Sequence, residues 1–445
     1  MKKQIKVSLT ISAVLVAMSG IAQAAPAELN VYGASAQYTY WNAQAQKYAQ
    51  SLGCTAGAAV NNGGKHGFVS ATACTSTLVP VNAATTKRDL DIRYSGIASA
   101  EGVLAVKKSA PLDASLAAGC NVANGERLMY ASSSTTVCKQ VHVGTSDVAG
   151  ESLVQSSSGL KLGMLGGAQT DVTMSAIDTS SLTPNNTVVV PFGFFVNSAV
   201  TATTCTGGLI GNYATAASQC DTAAGKGNGV LGAATTITNI SRAEATLIFS
   251  GTVTNWSDLG AYFTPQPVIA CLRHAGSGTH SALDLTVMNS GWGNNIATAE
   301  VAGNIYFNQG SGDEIACING ATTASPTGSL IGAIGYADGD QAVGTSNVSQ
   351  NVNQLKYNGF YPTRTAIRNG LYDFYTNAWL YTNPLNNSTD NALAANLVAY
   401  AQQPANVPAS KTNYWASIGE MKFNRQGDVA YPVNAFADPA LVQTP

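Results

Sequence analysis

An α/β fold is predicted by a local pattern that recurs along the chain: an apolar strand, a turn of small residues and then a helix. Within residues 29–52, the turn Gly33-Ala34-Ser35 lies between an apolar strand and a segment whose aromatic and apolar residues are spaced as one helix face. Within residues 267–288, Gly276-Ser277-Gly278-Thr279 lies between a β-branched apolar run and a second periodic segment. Domains have about 150 residues each, so the length of the chain predicts two or three domains.

The N-terminus has the form of a secretory signal peptide. Lys2, Lys3 and Lys6 precede an apolar stretch that ends at Ala22-Gln23-Ala24, a small-x-small cleavage pattern. The first cysteine, Cys54, lies well past this point, so no lipid-anchoring cysteine follows the signal, and no later apolar run is long enough to cross a bilayer. We therefore expect cleavage near Ala24 and a protein without a membrane anchor, in the periplasm or secreted beyond it.

The charge of the chain argues against a nucleic-acid partner. The formal net charge is −2, and it becomes −5 once residues 1–24, which hold three lysines and no acidic residue, are removed. A basic surface of the kind that binds nucleic acid is therefore not expected. Only 10% of the residues are charged, which leaves ample apolar material for a core.

The eight cysteines predict disulfides, because they are even in number and lie in a chain with an export signal. Eight cysteines allow about 105 connectivities, and short loops alone favour the pairing of sequence neighbours. That hypothesis pairs Cys54 with Cys74, Cys120 with Cys138, Cys205 with Cys220, and Cys271 with Cys317. The four histidines are scattered and no Cys-x-x-Cys or His-x-x-x-His occurs, so we expect no structural zinc, no other metal site and no cofactor.

The turn that follows Arg273 has the chemistry of a small-anion site. The first N–H groups of a helix have no partner within the helix, and the helix dipole favours negative charge there. Gly276 and Gly278 let a ligand approach the backbone. Ser277 and Thr279 add hydroxyl donors, and Arg273 offers a planar fork of N–H groups. A small tetrahedral anion fits this set, whereas the alternative is a glycine turn with a capping hydroxyl and a solvated arginine.

Two further predicted strands end in turns of the same type. Residues 89–94 lead into Ser95-Gly96-Ile97-Ala98-Ser99-Ala100-Glu101-Gly102, and residues 140–143 lead into Gly144-Thr145-Ser146-Asp147. Together with the turns at Gly33 and Arg273, these resemble, in order, four turns of the periplasmic phosphate-binding proteins that serve ABC importers.

Three longer stretches extend the resemblance. Residues 189–197 resemble that family's crossing strand, Ile248 to Asp258 match its Ile-Phe-x-Gly-x-x-x-x-Trp-x-Asp stretch, and Gly332-Ala-Ile-Gly-Tyr336 precedes the last part. One short motif would be a weak signal, but seven in the right order over roughly residues 29–340 are a strong one.

The resemblance implies a type II periplasmic-binding-protein fold, in which two α/β lobes are crossed by two hinge strands and enclose a ligand cleft. It places lobe I at residues 25–190 and 335–445 and lobe II at residues 191–334. Lobe I departs from the family pattern by two inserts, at about 104–139, which carries a cysteine pair, and at 150–187. We expect surface loops there, with a partner-docking surface as the alternative.

The resemblance also implies a phosphate site to which both lobes contribute. Its residues are Ser35, Ala36, Ser99 and Asp147 from lobe I, and Arg273, Ser277, Gly278 and Thr279 from lobe II. Ala36 stands where the family usually has a larger residue, but the contact there would be a backbone N–H. Closing the lobes would bury the anion among neutral donors and one arginine.

Asp147 is the residue expected to set selectivity. A buried carboxylate beside an oxyanion is repulsive unless the ligand has a proton to donate, so Asp147 would accept hydrogen phosphate and reject sulfate. Its alternative role is an Asx-type turn that hydrogen-bonds its own backbone. With a different register Asp171 or Asp178 would replace it, and the alternative role of Ser35 and Ser99 is helix capping alone.

These expectations describe a binding protein and not an enzyme: a monomer that captures inorganic phosphate in the periplasm and delivers it to an ABC permease of the inner membrane. Two other hypotheses stay open. One is a secreted adhesive or structural protein that keeps the fold and binds partners through its inserts. The other is a phosphatase-like hydrolase, because Ser277 has His274 and His280 nearby in sequence, although the turn lacks a Gly-x-Ser-x-Gly elbow.

Overall fold

The computed structural model describes the chain except for its ends and several loops. The described residues are 25–61, 65–83, 85–131, 135–157, 171–208, 213–223, 225–288, 305–320, 330–425, 427–428 and 433–434. The predicted signal peptide, residues 1–24, lies outside the described residues, and so do residues 158–170 of the second predicted insert.

The strands and helices are numbered in chain order. The strands up to residue 173 are β1 (Ala27–Gly33), β2 (Thr55–Ala56), β3 (Val60–Asn61), β4 (His66–Thr72), β5 (Leu90–Gly96), β6 (Glu126–Tyr130), β7 (Thr136–Gln140), β8 (Val143–Ser146), β9 (Ser156–Ser157) and β10 (Val172–Thr173). The later strands are β11 (Thr183–Asn197), β12 (Thr201–Cys205), β13 (Leu231–Thr236), β14 (Asn239–Ile240), β15 (Ile269–Arg273), β16 (Ile305–Asn308), β17 (Ala333–Asp338), β18 (Val352–Gln354), β19 (Lys356–Tyr357), β20 (Tyr375–Thr382), β21 (Ala416–Ser417), β22 (Phe423–Asn424) and β23 (Val433–Asn434). The α-helices are α1 (Ser35–Ser51), α2 (Ser99–Val106), α3 (Arg242–Phe249), α4 (Gly278–Ala282), α5 (Ser311–Ile318), α6 (Arg364–Arg368) and α7 (Ser388–Ala401). α4 continues directly into a π-helical turn, Leu283–Val287.

One large sheet contains most of the longer strands of the described residues. Its order is β16-β15-β17-β11-β20-β8-β1-β5-β4-β2, with β18 and β21 beside β11 and β3 beside β4. β1 runs parallel to β5 and β8, and β15 runs parallel to β16 and β17. We call the strands from β20 to β2 the first half of the sheet, and β17, β15 and β16 the second half.

β11 joins the two halves. It is 15 residues long, and it pairs antiparallel with β20 along Thr183–Pro191 and with β17 along Phe192–Val196. The predicted crossing strand 189–197 is its second part. The lobe boundaries expected from the sequence stay a prediction.

The core extends through both halves of the sheet. The main cluster includes Val31 and Ile92 from the first half and Leu272 and Phe307 from the second. A smaller cluster, which includes Tyr306, Cys271 and Cys317, packs beneath α5. The sheet is mixed: β1, β5 and β8 form one parallel group and β15, β16 and β17 another, while β11, β20 and β4 pair antiparallel with their neighbours. Helices follow the parallel strands, as the recurring strand-turn-helix pattern predicts, and the α/β class is confirmed.

The four disulfides join the cysteine pairs that short loops favour. They are Cys54–Cys74, Cys120–Cys138, Cys205–Cys220 and Cys271–Cys317. The pairing hypothesis is therefore confirmed for every pair. The last of these disulfides ties β15 to α5.

Candidate functional site

Three turns of the first half lie side by side because their strands are parallel neighbours. Gly33, at the end of β1, pairs with Gly96 of β5 on one side and with Thr145 of β8 on the other. Parallel strands end at the same edge of a sheet, which is where ligands bind in α/β proteins. The turns that carry the predicted lobe I residues therefore open at one edge.

Ser99 and Asp147 form a buried pair at this edge. Ser99 is the first residue of α2, after the N-cap Ala98, and only 1% of it is exposed. Its Oγ accepts a hydrogen bond from the Asp147 amide at 3.0 Å and donates one to Asp147 Oδ2 at 3.3 Å. The Ser99 hydroxyl thus serves Asp147 and does not cap α2. Asp147 Oδ1 is buried without a hydrogen-bond partner.

Ser35 and Ala36 begin α1 at the same edge. The N-cap is Ala34, whose amide donates to the Thr145 carbonyl at 3.0 Å and to its Oγ1 at 2.9 Å. Ser35 is half-buried and lies against Gly96, while Ala36 is buried. The amides of both residues belong to the first turn of the helix, where no intrahelical partner exists.

Burial raises the pKa of Asp147 to about 7, and repulsion from the Asp338 carboxyl adds to this rise. The Arg273 guanidinium and hydrogen bonds from Ser99 and Gln37 oppose it. Near neutral pH, Asp147 is therefore close to the point at which it changes from a hydrogen-bond donor to an acceptor.

The predicted anion turn begins where β15 ends. Ser277 holds the N-cap position of α4, but its side chain makes no capping hydrogen bond. Thr279, in the first turn, is 1% exposed, and its Oγ1 has no hydrogen-bond partner. The hydroxyl groups of this turn are thus available to a ligand.

Gly278, in the helix that follows β15 of the second half, lies directly against Ser99 and Asp147 of the first half. A Cβ atom at this position would lie 2.2 Å from Ser99 Oγ and 2.7 Å from the Asp147 Cβ, so no larger residue fits. Beside it, the Ala100 amide donates to the Gly276 carbonyl at 3.1 Å. The structure therefore brings Ser99, Asp147 and Gly278 together in a closed arrangement.

Arg273 is fully buried and is held by the start of α5. Its Nη1 donates to Ser311 Oγ at 2.9 Å and its Nη2 to the Gln309 carbonyl at 3.0 Å. Its Nε lies 3.8 Å from Glu314 Oε2. Arg273 is thus not the solvated arginine of the alternative interpretation, and since a guanidinium has five N–H donors, some remain for a ligand.

Two buried carboxyl groups beside Arg273 were not found from the sequence. Burial raises the pKa of Glu314 well above its usual value and raises that of Asp338, while Arg273 opposes both shifts. Ser311 Oγ donates to Asp338 Oδ2 at 3.4 Å, and Asp338 Oδ1 is buried without a partner. Asp338 did carry a signal, because an acidic residue directly follows the apolar run of β17.

The acids that could replace Asp147 lie on the surface, and one histidine of the hydrolase hypothesis is buried and makes a hydrogen bond. Asp171 and Asp178 are exposed. His280 is fully buried, with its Nδ1 2.7 Å from the Tyr336 hydroxyl, and burial lowers its pKa to about 3. Such a histidine is a weak base, which does not favour a role in activating Ser277.

Within the described part of the chain, no group of three or more His, Cys, Asp or Glu could hold a metal ion. Among the same residues, no helix has the length and apolar character needed to cross a membrane. A cavity of about 690 Å³ is lined by Thr236, Ile237, Asn353, Gln354, Tyr361 and Tyr414 among others, and includes none of the predicted site residues.

A family model described as a PBP superfamily domain matches residues 221–404. This part of the chain is similar to a PBP superfamily domain. The resemblance to periplasmic binding proteins is confirmed at this level. The matched PBP segment includes β15, Arg273 and the turn Ser277-Gly278-Thr279.

Solved structures with partial similarity include three phosphate-related proteins. An ABC-type phosphate transport receptor from Vibrio cholerae has 13% identity and a TM-score of 0.40, covering 83% of this chain and 93% of that one. A putative phosphate ABC transporter substrate-binding protein from Clostridium perfringens, solved with bound phosphate, has 12% identity and a TM-score of 0.42, with coverage of 83% and 92%. A phosphate-binding protein from Stenotrophomonas maltophilia has 13% identity and a TM-score of 0.42, with coverage of 85% and 84%. No protein of curated function matches the chain.

Proposed function

We propose that this protein binds inorganic phosphate between the Ser99–Asp147 pair and the turn that carries Ser277, Gly278 and Thr279. The observation that carries the proposal is a set of buried polar atoms that have no hydrogen-bond partner: Asp147 Oδ1, Thr279 Oγ1 and Arg273 Nε. Arg273 Nε has only the longer ionic contact to Glu314, at 3.8 Å. Buried polar groups are normally hydrogen-bonded, so orphaned groups of this kind favour a ligand. They include one acceptor, one hydroxyl and one cationic donor, which suits a protonated oxyanion.

Phosphate would enter when the two halves separate, because Gly278 lies directly against Ser99 and Asp147 in the closed arrangement. On closure, Arg273 would supply the positive charge and the amides at the start of α1 and α4 would supply neutral donors. Asp147 would accept the proton of hydrogen phosphate. The predicted signal peptide supports binding in the periplasm, and we propose that a monomer delivers the phosphate to an ABC permease there.

The test is isothermal titration of the mature, phosphate-stripped protein with phosphate and then with sulfate, at about pH 8.5, where Asp147 is ionised. The expected result is a phosphate Kd in the micromolar range or tighter, about −8 kcal/mol, and a much weaker sulfate response. No heat with phosphate would overturn the proposal and direct attention to the adhesive alternative. Hydrolysis of a phosphate ester would instead favour the hydrolase.

Arg273→Ala tests the geometry of the site. We expect phosphate binding to weaken by roughly 2 kcal/mol or more, because the anion loses its positive partner. Arg127→Ala is the matched control, since Arg127 is also fully buried but donates to the Glu126 and Ser109 carbonyls, away from the site. Equal affinity in wild type and the Arg273 variant would contradict the site.

A further inference from the structure

The second predicted insert reaches across to the anion turn. We call its described residues 150–157 and 171–182 the strap, which contains the antiparallel pair β9 and β10. Although surface loops were expected here, Gln155 is fully buried and Ser157 is 2% exposed. Both side chains make hydrogen bonds to residues of the second half that are more than 100 positions away in sequence.

Gln155 bonds to the helix that follows the anion turn. Its Oε1 accepts a hydrogen bond from Ser281 Oγ at 2.5 Å, and its Nε2 donates to Asp284 Oδ2 at 3.1 Å. Within the strap, the same amide accepts from the Val154 amide and donates to the Ser152 carbonyl. Both ends of one buried amide therefore link the strap to the α4 and π-helical segment.

Ser157 bonds to the segment that precedes the anion turn. Its Oγ accepts from the Ala275 amide at 3.1 Å. Met174, also in the strap, lies beside Gly276, with its Sδ 3.8 Å from the position of a Cβ there. The strap thus holds the chain on both sides of Ser277-Gly278-Thr279.

We propose that Gln155 and Ser157 are positioning residues, which fix the turn Ser277-Gly278-Thr279 against the Ser99–Asp147 pair and so slow the release of a bound anion. Their hydrogen bonds go to Ser281, Asp284 and Ala275, and we assign no anion contact to either residue. Buried hydrogen bonds of this kind have to break before the halves separate, which adds to the barrier for release and not to the contacts with the ligand. The part of the proposal that concerns release rests on the proposed function; the part that concerns positioning does not.

A charge exchange between Gln155 and Asp284 tests the positioning. Gln155→Glu keeps the acceptor for Ser281 but puts a carboxyl group against the Asp284 carboxyl. Adding Asp284→Asn to this variant restores a pair of one amide and one carboxyl group, with the two groups exchanged between positions 155 and 284. In the phosphate-free protein, we expect amide hydrogen exchange across residues 275–284 to speed up roughly tenfold in the first variant and to return toward the rate of Asp284→Asn alone in the double variant.

Ser157→Ala is the milder second variant, and Ser156→Ala is its matched control. Neighbouring side chains of a strand point to opposite faces, and Ser156 is only half-buried. We expect Ser157→Ala to speed exchange at residues 275–278 and Ser156→Ala to leave it unchanged. Unchanged exchange in both the Gln155 and Ser157 variants would overturn the positioning role.

Stopped-flow release of phosphate tests the second part. We expect the dissociation rate to rise roughly tenfold in Gln155→Glu, with a smaller change in the association rate, and to be restored by Asp284→Asn. Faster exchange together with an unchanged release rate would overturn the role in release. If wild type binds no phosphate while exchange follows the predicted pattern, the proposed function fails and the positioning role stands.

Discussion

Asp147 connects the chemistry of the site to pH. Its pKa lies at about 7, first because the carboxyl is buried and second because Asp338 repels its charge. Below this pH the carboxyl carries a proton and can donate to a ligand, whereas above it the carboxylate can only accept. The rejection of sulfate that follows from an ionised Asp147 should therefore hold only above neutral pH.

We predict that wild type binds sulfate at about pH 5.5 and not at about pH 8.5, while it binds phosphate at both. Above the pKa, the protonated fraction falls about tenfold per pH unit, and sulfate affinity should fall with it. Asp147→Asn, which offers an amide donor at every pH, should bind sulfate throughout. Isothermal titration across this range measures the effect.

Asp178→Asn provides the control, because Asp178 is an exposed acid outside the site. It should keep the wild-type pH profile for both anions. A sulfate affinity that does not change with pH in wild type would contradict the assigned role of Asp147.

The residues of the candidate site differ in how visible they were in the sequence. Ser99, Asp147 and Gly278 follow strands in turns with recognisable motifs, and the structure brings them into contact. Asp338 was missed although it ends the apolar strand β17. Gln155 had no local signal, because its partners lie 126 and 129 residues away.

At the level of elements, β15 and α5 act as one support for Arg273. The disulfide Cys271–Cys317 joins them, and α5 provides Ser311 and Glu314, which lie against the guanidinium. A change in the position of α5 should therefore move the Arg273 guanidinium and so alter the anion site.

We predict that replacing both Cys271 and Cys317 by Ala lowers the free energy of unfolding by about 2–5 kcal/mol and weakens phosphate binding. Replacing Cys120 and Cys138, which tie the first insert, should lower stability but leave the phosphate affinity unchanged. Chemical denaturation and calorimetric titration of both variants make the comparison. Equal phosphate affinity in the two variants would contradict the coupling of α5 to the site.

Helices and strands could be predicted where hydrophobic periodicity in the sequence defines them, but their first and last residues were less predictable. α1 begins at Ser35, within the turn Gly33-Ala34-Ser35 that was predicted to precede it. The predicted strand 140–143 is divided between β7 and β8. The break lies at Val141 and His142, where the His142 amide bonds to the Asn30 carbonyl and the chain passes from a hairpin to the main sheet.

At the level of the whole molecule, one sheet spans both halves through β11. Its order depends on pairings between distant segments, such as β20 between β11 and β8. Hydrophobic periodicity specifies which faces of a strand are buried but not which strand lies beside it. The resemblance to binding proteins predicted an α/β architecture, whereas the order of the sheet came only from the structure.

The closed arrangement should itself depend on pH, because it buries Asp147 of the first half near Asp338 at the end of β17. A group whose pKa is raised in the closed form binds its proton more tightly there, so a rise in pH between about 4 and 7 works against closure. Each pKa unit that Asp147 recovers on exposure to water favours opening by about 1.4 kcal/mol. Arg273 opposes the rise for both acids and Lys411 opposes it for Asp338, so these cations limit the effect.

We therefore predict that, without phosphate, the radius of gyration from small-angle X-ray scattering increases between about pH 5 and pH 8, and that Asp147→Asn reduces this increase. Glu101→Gln is the matched control, since burial also raises the pKa of Glu101 to about 7, but its carboxyl accepts from the Leu112 and Asp113 amides and does not lie between the halves. A pH-dependent expansion that Glu101→Gln removes and Asp147→Asn leaves intact would show that the titration acts on the first insert and not on the closure of the site.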